Sequence, residues 1–261
     1  MTEVGTAVPP GGDIPASDQR APQSPRAQLG WALASTAALL LWLAWQWGWV
    51  PAVAGVIGVL VHETGHLLVI NALGCGPSRI HIIPFFGGAA TMQRPPKSEF
   101  HGVLIAMAGP VAGLLAAVPF IVATRITGDP RWTDGAGFII LINLLNMLPA
   151  PPLDGSKALG PALARIHPLV ERAALVLIGG AVAYVALRDH NLLFGAFVAV
   201  ATLAALRRPS RPASRRLSIG EWFASVGLWA GVLAAGVYAL VFSFSQTGWS
   251  DGPAVIRASG F

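Results

Sequence analysis

The sequence has little charge and almost no cysteine. Asp, Glu, Lys and Arg make up 11% of its 261 residues, and hydrophobic residues make up 54%, whereas soluble domains average about 25% charged residues. So few solvated groups cannot cover a globule of this size, which argues against a disordered chain, a basic nucleic-acid module and an ordinary soluble enzyme. The single cysteine, Cys75, excludes an internal disulfide framework and a four-cysteine zinc site. The composition predicts an all-α polytopic membrane protein.

Seven apolar runs are candidates for membrane-crossing helices. They cover about residues 29–48, 52–73, 102–124, 136–149, 170–187, 191–206 and 223–245. The fourth and sixth runs are short for about 30 Å of hydrocarbon, so we expect six to seven transmembrane helices. A cleaved signal peptide is the alternative interpretation of the first run, because Ala52-Val53-Ala54 is typical of a processing site.

The polar segments predict a chain of four parts. Residues 1–28 lack apolar periodicity and form a disordered cytoplasmic tail, and the membrane domain covers residues 29–206. A basic cytoplasmic linker follows at 207–222, and residues 223–261 hold the last span and a tail. With the N-terminus in the cytoplasm, thirteen Lys and Arg residues lie on the cytoplasmic side and four on the other. This positive-inside bias explains the net charge of +5 without nucleic acid as a partner.

A cluster of ionisable residues stands inside the second span. The sequence there is His62-Glu63-Thr64-Gly65-His66, and an ionisable group within a span is costly enough to indicate a functional site. Positions i and i+4 share a helix face, so both imidazoles can reach one metal ion. Glu63 is rotated by about 100° from His62, which suits a carboxylate beside a metal-bound water better than a ligand. The alternative is a structural histidine pair with Glu63 as its counter-ion.

A catalytic zinc site needs a third protein ligand and an open position for water. The candidates for this ligand are His81, Glu99, His101 and Asp154. Depth favours Asp154, because the histidines lie towards the cytoplasmic end of the second span and the fourth span ends on the same side. Prolines before Asp154 unwind the backbone, and Gly155 permits a tight turn that folds the carboxylate back towards the histidines.

The paired motifs resemble the site-2 protease family, the intramembrane zinc metalloproteases that hydrolyse peptide bonds within transmembrane helices. The likeness covers roughly residues 52–160 and rests on the following sequences: His62-Glu63-x-x-His66, Asn146-x-x-Pro149 and Leu153-Asp154-Gly155, with Ala108-Gly109-Pro110 and Phe86-Gly87-Gly88 as further family features. No insert of the size of a PDZ or CBS domain is present, so a compact form of the family is expected.

The resemblance implies a role for each residue of these motifs. It implies that His62, His66 and Asp154 bind Zn²⁺ and that Glu63 is the catalytic general base and proton shuttle. It also implies that Asn146 helps to hold the substrate strand or the oxyanion. Asn143 shares a helix face with Asn146, and function and interhelical hydrogen bonding are equally good interpretations of it.

Residues 76–95, between the second and third spans, are predicted to form a re-entrant loop that resembles a small β-hairpin. Two isoleucines and Phe86 alternate with other residues there, and Gly87-Gly88 allows a bend. Such a hairpin can pair with an unwound substrate as an added strand, so Phe86, Gly87 and Gly88 are candidate substrate-binding residues. An ordinary loop is the alternative.

The resemblance implies that the chain is an intramembrane zinc metalloprotease that acts in regulated intramembrane proteolysis. The expected partners are a transmembrane-helix substrate, the lipid bilayer and, as a candidate, a second copy of the chain. We expect a multi-pass protein of a prokaryotic cell membrane, with the N-terminus and the opening of the active site on the cytoplasmic side. A divalent-metal transporter and an inactive pseudoprotease adaptor are the alternatives, since either would use intramembrane histidines and carboxylates.

Overall fold

Eight helices and one pair of strands make up the part of the chain that the computed structural model describes, residues 25–77, 79–83, 87–189, 192–207 and 215–245. In chain order they are α1 (Pro25–Trp47), α2 (Trp49–Ala72), β1 (Arg79–Ile83), β2 (Gly87–Thr91), α3 (Glu99–Thr127), α4 (Pro130–Asn146), α5 (Asp154–Ile166), α6 (Pro168–Arg188), α7 (Leu192–Arg207) and α8 (Ile219–Ser245).

The helices carry the apolar character that the composition predicts. Among the described residues, four helices are long and apolar enough to cross a membrane, namely α2, α3, α6 and α8, and α7 contains a shorter apolar stretch. Each of the seven predicted runs overlaps one helix. The predicted helical, polytopic architecture is therefore confirmed.

The helix α5 was not predicted from the sequence. It begins at Asp154, where we expected a turn after a proline-rich segment, and it ends at Ile166. The prolines stand between α4 and α5 and not inside either helix at that point, so they separate two helices and leave the second one free to form. Ala158 of α5 packs with Met147 and Met107 in one buried apolar cluster, which explains why a short helix is stable here.

Small residues bring α2, α3 and α4 into close contact. A Cβ atom at Gly65 of α2 would overlap the backbone carbonyl of Ala108 in α3, and one at Gly58 would lie 3.0 Å from the Ile139 side chain of α4. Glycine at such positions lets helix backbones approach each other in a membrane, where association depends on close packing. The middle of α2 is thereby enclosed by its two neighbours.

A short turn joins α3 to α4. Gly128 follows α3 in the left-handed region at φ 68°, a conformation that favours glycine. Asp129 then caps α4, because its carboxylate accepts a hydrogen bond of 2.9 Å from the Arg131 backbone N–H. Hydrogen bonds from the Arg131 side chain hold the pKa of Asp129 below its usual range. The turn places α4 directly against α3.

The helix α8 returns across the bundle and packs against α3, α4 and α5. Before it begins, the Leu217 backbone N–H donates a hydrogen bond of 3.0 Å to Glu99 Oε2 at the start of α3. Further along, Trp229 Nε1–H donates a hydrogen bond of 2.9 Å to the Met147 carbonyl, just after α4. One bond joins the residue before α8 to the start of α3, and the other joins α8 to the segment that leads to Asp154.

The strands β1 and β2 form an antiparallel pair between α2 and α3. Ile82 is opposite Gly88, and Ile83 is opposite Gly87. Phe86, one of the predicted substrate-binding residues, lies outside the described residues, as does the rest of the connection between the strands. The position of this strand pair relative to a membrane stays a prediction.

Two helix boundaries fall inside segments that were predicted to be irregular. Helix α1 begins at Pro25, within the predicted tail 1–28, and α8 begins at Ile219, within the predicted linker 207–222. Residues 1–24 and 208–214 lie outside the described residues. The division of the chain into four parts stays a prediction.

Candidate metal centre

The middle of α2 carries three buried polar side chains. His62, Glu63 and His66 expose only 4%, 5% and 7% of their surfaces. One helical turn separates the two histidines, so their rings share a face, and their centroids lie 4.7 Å apart. The two Nε2 atoms are 3.1 Å apart and converge on one point. This is the arrangement that the spacing in the sequence predicts.

Asp154 completes a cluster of three potential ligands. Its Oδ2 atom lies 3.0 Å from the Nε2 atom of each histidine, and the residue is 6% exposed. Asp154 is the first residue of α5, and the predicted return of its carboxylate to the histidines is present in the structure. In sequence Asp154 is 88 positions from His66 and 92 positions from His62, and the three side chains meet inside the bundle.

The donor set of this cluster fits a zinc ion. Two imidazole nitrogens and one carboxylate oxygen are common zinc ligands, and a tetrahedral site with bonds of about 2.0–2.1 Å separates its donor atoms by about 3.3 Å. The three separations found here, 3.0, 3.0 and 3.1 Å, are close to that value. His62, His66 and Asp154 therefore suit three positions of such a site, with a fourth left for water or substrate.

Each histidine has a second partner on the far side of its ring. His62 Nδ1 lies 2.8 Å from Asn143 Oδ1, and His66 Nδ1 lies 2.7 Å from the backbone carbonyl of Ile105. Both partners are oxygens that can only accept, so each Nδ1 carries the proton and each Nε2 presents its lone pair to the cluster. This is the outer arrangement that metal-binding histidines usually have.

Glycine in α3 makes room for the two rings. A Cβ atom at Gly109 would overlap His66 Nε2 and would lie 2.7 Å from His62 Nε2. Gly109 belongs to the Ala108-Gly109-Pro110 sequence, and its lack of a side chain leaves the face of the imidazoles open. No larger side chain fits at position 109 while the Nε2 atoms keep their positions.

Glu63 points a free oxygen into the buried interior. Its Oε2 atom is buried and has no hydrogen-bond partner among the described residues. A buried polar atom without a partner is costly, and in native proteins it usually marks a water, an ion or a functional group that acts on a ligand. Glu63 lies near enough to His62, His66 and Asp154 to interact with them electrostatically, and it is not one of the three grouped ligands.

Lys157 was missed by the sequence analysis. Its Nζ atom lies 2.9 Å from Asp154 Oδ1, and its side chain is 62% exposed. The two residues are one helical turn apart on α5, so the unpredicted helix brings them together. Lys157 binds one carboxylate oxygen of Asp154 and leaves the other directed at the histidines. The spacing of Asp154 and Lys157 predicts an ion pair only within a helix, and no helix was predicted there.

The remaining candidates make other contacts or lie in the strand pair. Asn146 donates a hydrogen bond of 3.1 Å from Nδ2 to the Ile142 carbonyl of its own helix. Glu99, one of the alternative third ligands, accepts the bond from Leu217 at the start of α3. Gly87 and Gly88 lie in β2, and no side-chain position is described for His81 in β1.

His101 also lies apart from the histidine–carboxylate cluster. Its Nδ1 atom is buried without a hydrogen-bond partner among the described residues. Of the four candidates for the third ligand, Asp154 alone joins His62 and His66 in the described part of the chain.

The chain is similar to a family of peptidases. Residues 33–152 match the family model described as Peptidase M50B-like. The predicted resemblance is confirmed. The M50B-like segment contains α2, the strand pair, α3 and α4, and it ends two residues before Asp154, which opens α5.

Individual relatives carry related names. A candidate zinc metalloprotease of Synechocystis sp. is 31% identical over 120 residues, or 44% of this chain. The zinc metalloprotease MJ0392 of Methanocaldococcus jannaschii is 26% identical over 114 residues, or 42% of this chain. A candidate zinc metalloprotease, Rip2, of Mycolicibacterium smegmatis is 38% identical over 98 residues, or 35% of this chain. These matches span 31%, 33% and 37% of the relatives' own lengths, about a third of each.

Among solved structures, the site-2 protease of Methanocaldococcus jannaschii superposes on 83% of this chain and on 88% of its own. The TM-score is 0.44 and the sequence identity is 17%.

Proposed function

We propose that this chain is an intramembrane zinc metalloprotease that hydrolyses peptide bonds within transmembrane segments of membrane-anchored proteins. The observation that carries the proposal is the meeting of His62, His66 and Asp154 near Glu63, whose Oε2 is buried and has no hydrogen-bond partner among the described residues. The names of the relatives agree with zinc and with peptide hydrolysis.

His62, His66 and Asp154 are the residues proposed to hold the metal. Zinc, when bound, supplies Lewis-acid chemistry, because it makes water more acidic and polarises a peptide carbonyl. The partners at the two Nδ1 atoms and at Asp154 Oδ1 fix the orientation of all three side chains, so the site needs little rearrangement to accept the ion.

Glu63 is the proposed general base. Its Oε2 takes a proton from the attacking water while the oxygen of that water bonds to the carbonyl carbon of the scissile peptide. The same carboxylic acid then gives this proton to the leaving nitrogen as the C–N bond breaks. One carboxylate thus serves both halves of the reaction and ends in the state in which it began.

The substrate segment must unwind before it can react. Within an intact helix each carbonyl is hydrogen-bonded and shielded, so we expect cleavage near Gly, Pro or Asn in the substrate helix. The pair β1–β2 is proposed to be re-entrant and to receive the unwound segment as an added strand, with Phe86, Gly87 and Gly88 at the contact. Asn146 is proposed to help hold that strand or the oxyanion.

The wider arrangement of the chain is part of the same proposal. We place six to seven spans in a prokaryotic cell membrane, with the N-terminus and the opening of the site on the cytoplasmic side, as the distribution of Lys and Arg indicates. The expected substrates are membrane-anchored regulators or remnants of signal peptides, within regulated intramembrane proteolysis. A second copy of the chain remains a candidate partner.

A divalent-metal transporter fits the described residues less well. A transport path needs ligand groups at several depths in the membrane. Across the described part of the chain, a single group of three or more His, Cys, Asp or Glu side chains is close enough to hold an ion. This distribution supports a fixed catalytic site.

The test is the zinc content and cleavage activity of the full chain, purified in detergent without chelators. Wild type and Glu63→Gln should each hold one zinc, and Asp154→Ala should lose it. Cleavage of a single-span reporter with a central Gly-Pro pair should fall by about 10²–10⁴-fold in Glu63→Gln, because a general base contributes about that much. Normal cleavage by Glu63→Gln, or a wild type without zinc, would contradict the proposal.

A further inference from the structure

Asn143 lies on the buried face of α4 and contacts His62 of the candidate metal centre. Its side chain is fully buried, with 0% exposure. Its Oδ1 atom lies 2.8 Å from His62 Nδ1, on the side of the ring away from Asp154. It has no place in the ligand cluster itself.

The orientation of the Asn143 amide is fixed by a second hydrogen bond. Its Nδ2 donates to the Ile139 carbonyl one turn earlier in α4, at 2.8 Å. A carbonyl oxygen cannot donate, so the nitrogen of the amide must face Ile139 and the oxygen must face His62. The amide oxygen can therefore only accept the Nδ1 proton of His62.

The neighbouring helix α3 is shaped to admit this amide. A Cβ atom at Gly113 would overlap the oxygen, nitrogen and carbon of the Asn143 amide group. Gly109, one turn earlier on α3, provides the same clearance for the histidine rings. The two glycines leave a continuous space along α3 for the imidazoles and for the group behind them.

The two histidines are held by different kinds of partner. His66 donates to the Ile105 carbonyl of the backbone, which no side-chain substitution can remove. His62 depends on a side chain that belongs to another helix and that a single substitution can delete. A buried ring that loses this partner can rotate or change tautomer and then presents an N–H, not a lone pair, to the cluster.

We propose that Asn143 is a positioning residue that holds His62 in the tautomer and orientation needed to bind the metal. The inference rests on the proposed function, because it takes His62 as a zinc ligand. It gives a specific role to a residue for which the sequence left function and simple helix packing equally open.

A hydrogen bond elsewhere between the same two helices provides a matched comparison. Thr133 of α4 lies 3.2 Å, oxygen to oxygen, from Thr124 of α3, and both residues are buried. This bond joins α3 to α4 without any contact with the histidines. Thr133→Val therefore removes an interhelical hydrogen bond of the ordinary kind and serves as the control.

The experiment measures the affinity for Zn²⁺ of the detergent-purified full chain by competition with a chromogenic chelator. All variants carry Glu63→Gln, so that self-cleavage does not disturb the protein. Asn143→Leu should bind zinc about 10- to 100-fold more weakly, which is the usual effect of removing such an outer partner. Asn143→Asp keeps an acceptor at His62 Nδ1 but loses the N–H that donates to Ile139, so its affinity should fall less than that of Asn143→Leu, and Thr133→Val should stay within about 3-fold of the parent.

Several outcomes would overturn the inference. If Asn143→Leu binds Zn²⁺ as tightly as the parent, or if Asn143→Leu and Thr133→Val lose equal affinity, Asn143 contributes only to helix packing. If Asn143→Leu does not fold, Asn143→Val is measured in its place and judged by the same result. A parent that binds no zinc would contradict the proposed function itself, whereas a parent that binds zinc with an unaffected Asn143→Leu would contradict only the role of Asn143.

Discussion

The helices around the candidate metal centre and the pair α6–α7 use opposite kinds of surface. Helix α2 buries ten described residues, and among them His62 and His66 contact Asp154, while His62 also contacts Asn143. Helix α6 buries only Gly179, Ala183 and Ala186 and presents large apolar side chains outward. Leu177 of α6, for example, is 71% exposed. The first region is therefore built around polar contacts, and the second has an apolar exterior that suits lipid.

This difference shows where substitutions should affect function. Around the centre, distant parts of the chain meet through short, directional contacts, so small changes in shape alter the positions of the ligands. In α6–α7 the helices contact mainly each other and α5, so a change there should alter stability and leave the chemistry intact. Three substitutions test this distinction, in decreasing order of expected effect on activity.

Gly109→Ala should have the largest effect. The added methyl group would overlap His66 Nε2 and crowd His62 Nε2, so the rings must move. A displacement of about 1 Å at a reacting site can cost about 100-fold in rate, and zinc content should fall with it. Gly102→Ala on the same helix is the control, because a Cβ atom there meets nothing within 4 Å. Equal activity in the two variants would show that α3 does not shape the site.

Trp229→Phe should have an intermediate effect. It removes the N–H that reaches the Met147 carbonyl beside the segment leading to Asp154, and loss of such a bond costs about 1 kcal/mol. We expect zinc affinity and cleavage to fall by about 3- to 10-fold. Trp222→Phe is the control, since its indole donates an equal bond of 2.9 Å to Ala162, further along α5. Equal losses in both would mean that α8 stabilises the bundle without positioning Asp154.

Gly179→Ala should have the smallest effect on activity. A Cβ atom there would lie 2.5 Å from Thr202 Oγ1 of α7, and overpacking of this kind costs about 1–3 kcal/mol of stability. Thermal unfolding in detergent should shift downwards, while cleavage stays within about 2-fold of wild type. Gly180→Ala meets nothing within 4 Å and should not lower stability. A large loss of cleavage in Gly179→Ala would show that α6 and α7 contribute to the proposed catalytic site.

The sequence was sufficient to predict seven of the eight described helices and the meeting of the ligands. Apolar runs define helices by their length, and His62 and His66 share a face by helical geometry alone. Asp154 followed from an argument about depth, which needs only the direction of each span. These inferences depend on local periodicity or on the membrane itself, so no knowledge of helix packing was required.

The outer partners could not be predicted in the same way. The contact of Asn143 with His62 depends on how α4 is rotated against α2, and that rotation depends on glycines such as Gly58 and Gly113. The contact of Lys157 with Asp154 depends on helix α5, which was not predicted because a proline-rich segment precedes it. Each contact follows from a shape that several segments define together, and a single run of sequence does not contain it.

The bond from Trp229 to Met147 joins the last described helix to a much earlier part of the chain. The ribosome completes α2, α3, α4 and α5 before it reaches α8, because α8 begins at Ile219. Until then the Met147 carbonyl lacks its indole partner and the segment before Asp154 is unsupported on that side. A nascent chain therefore has its three ligands before it has the helix that steadies one of them. We therefore expect full activity only after α8 has packed against the segment before Asp154.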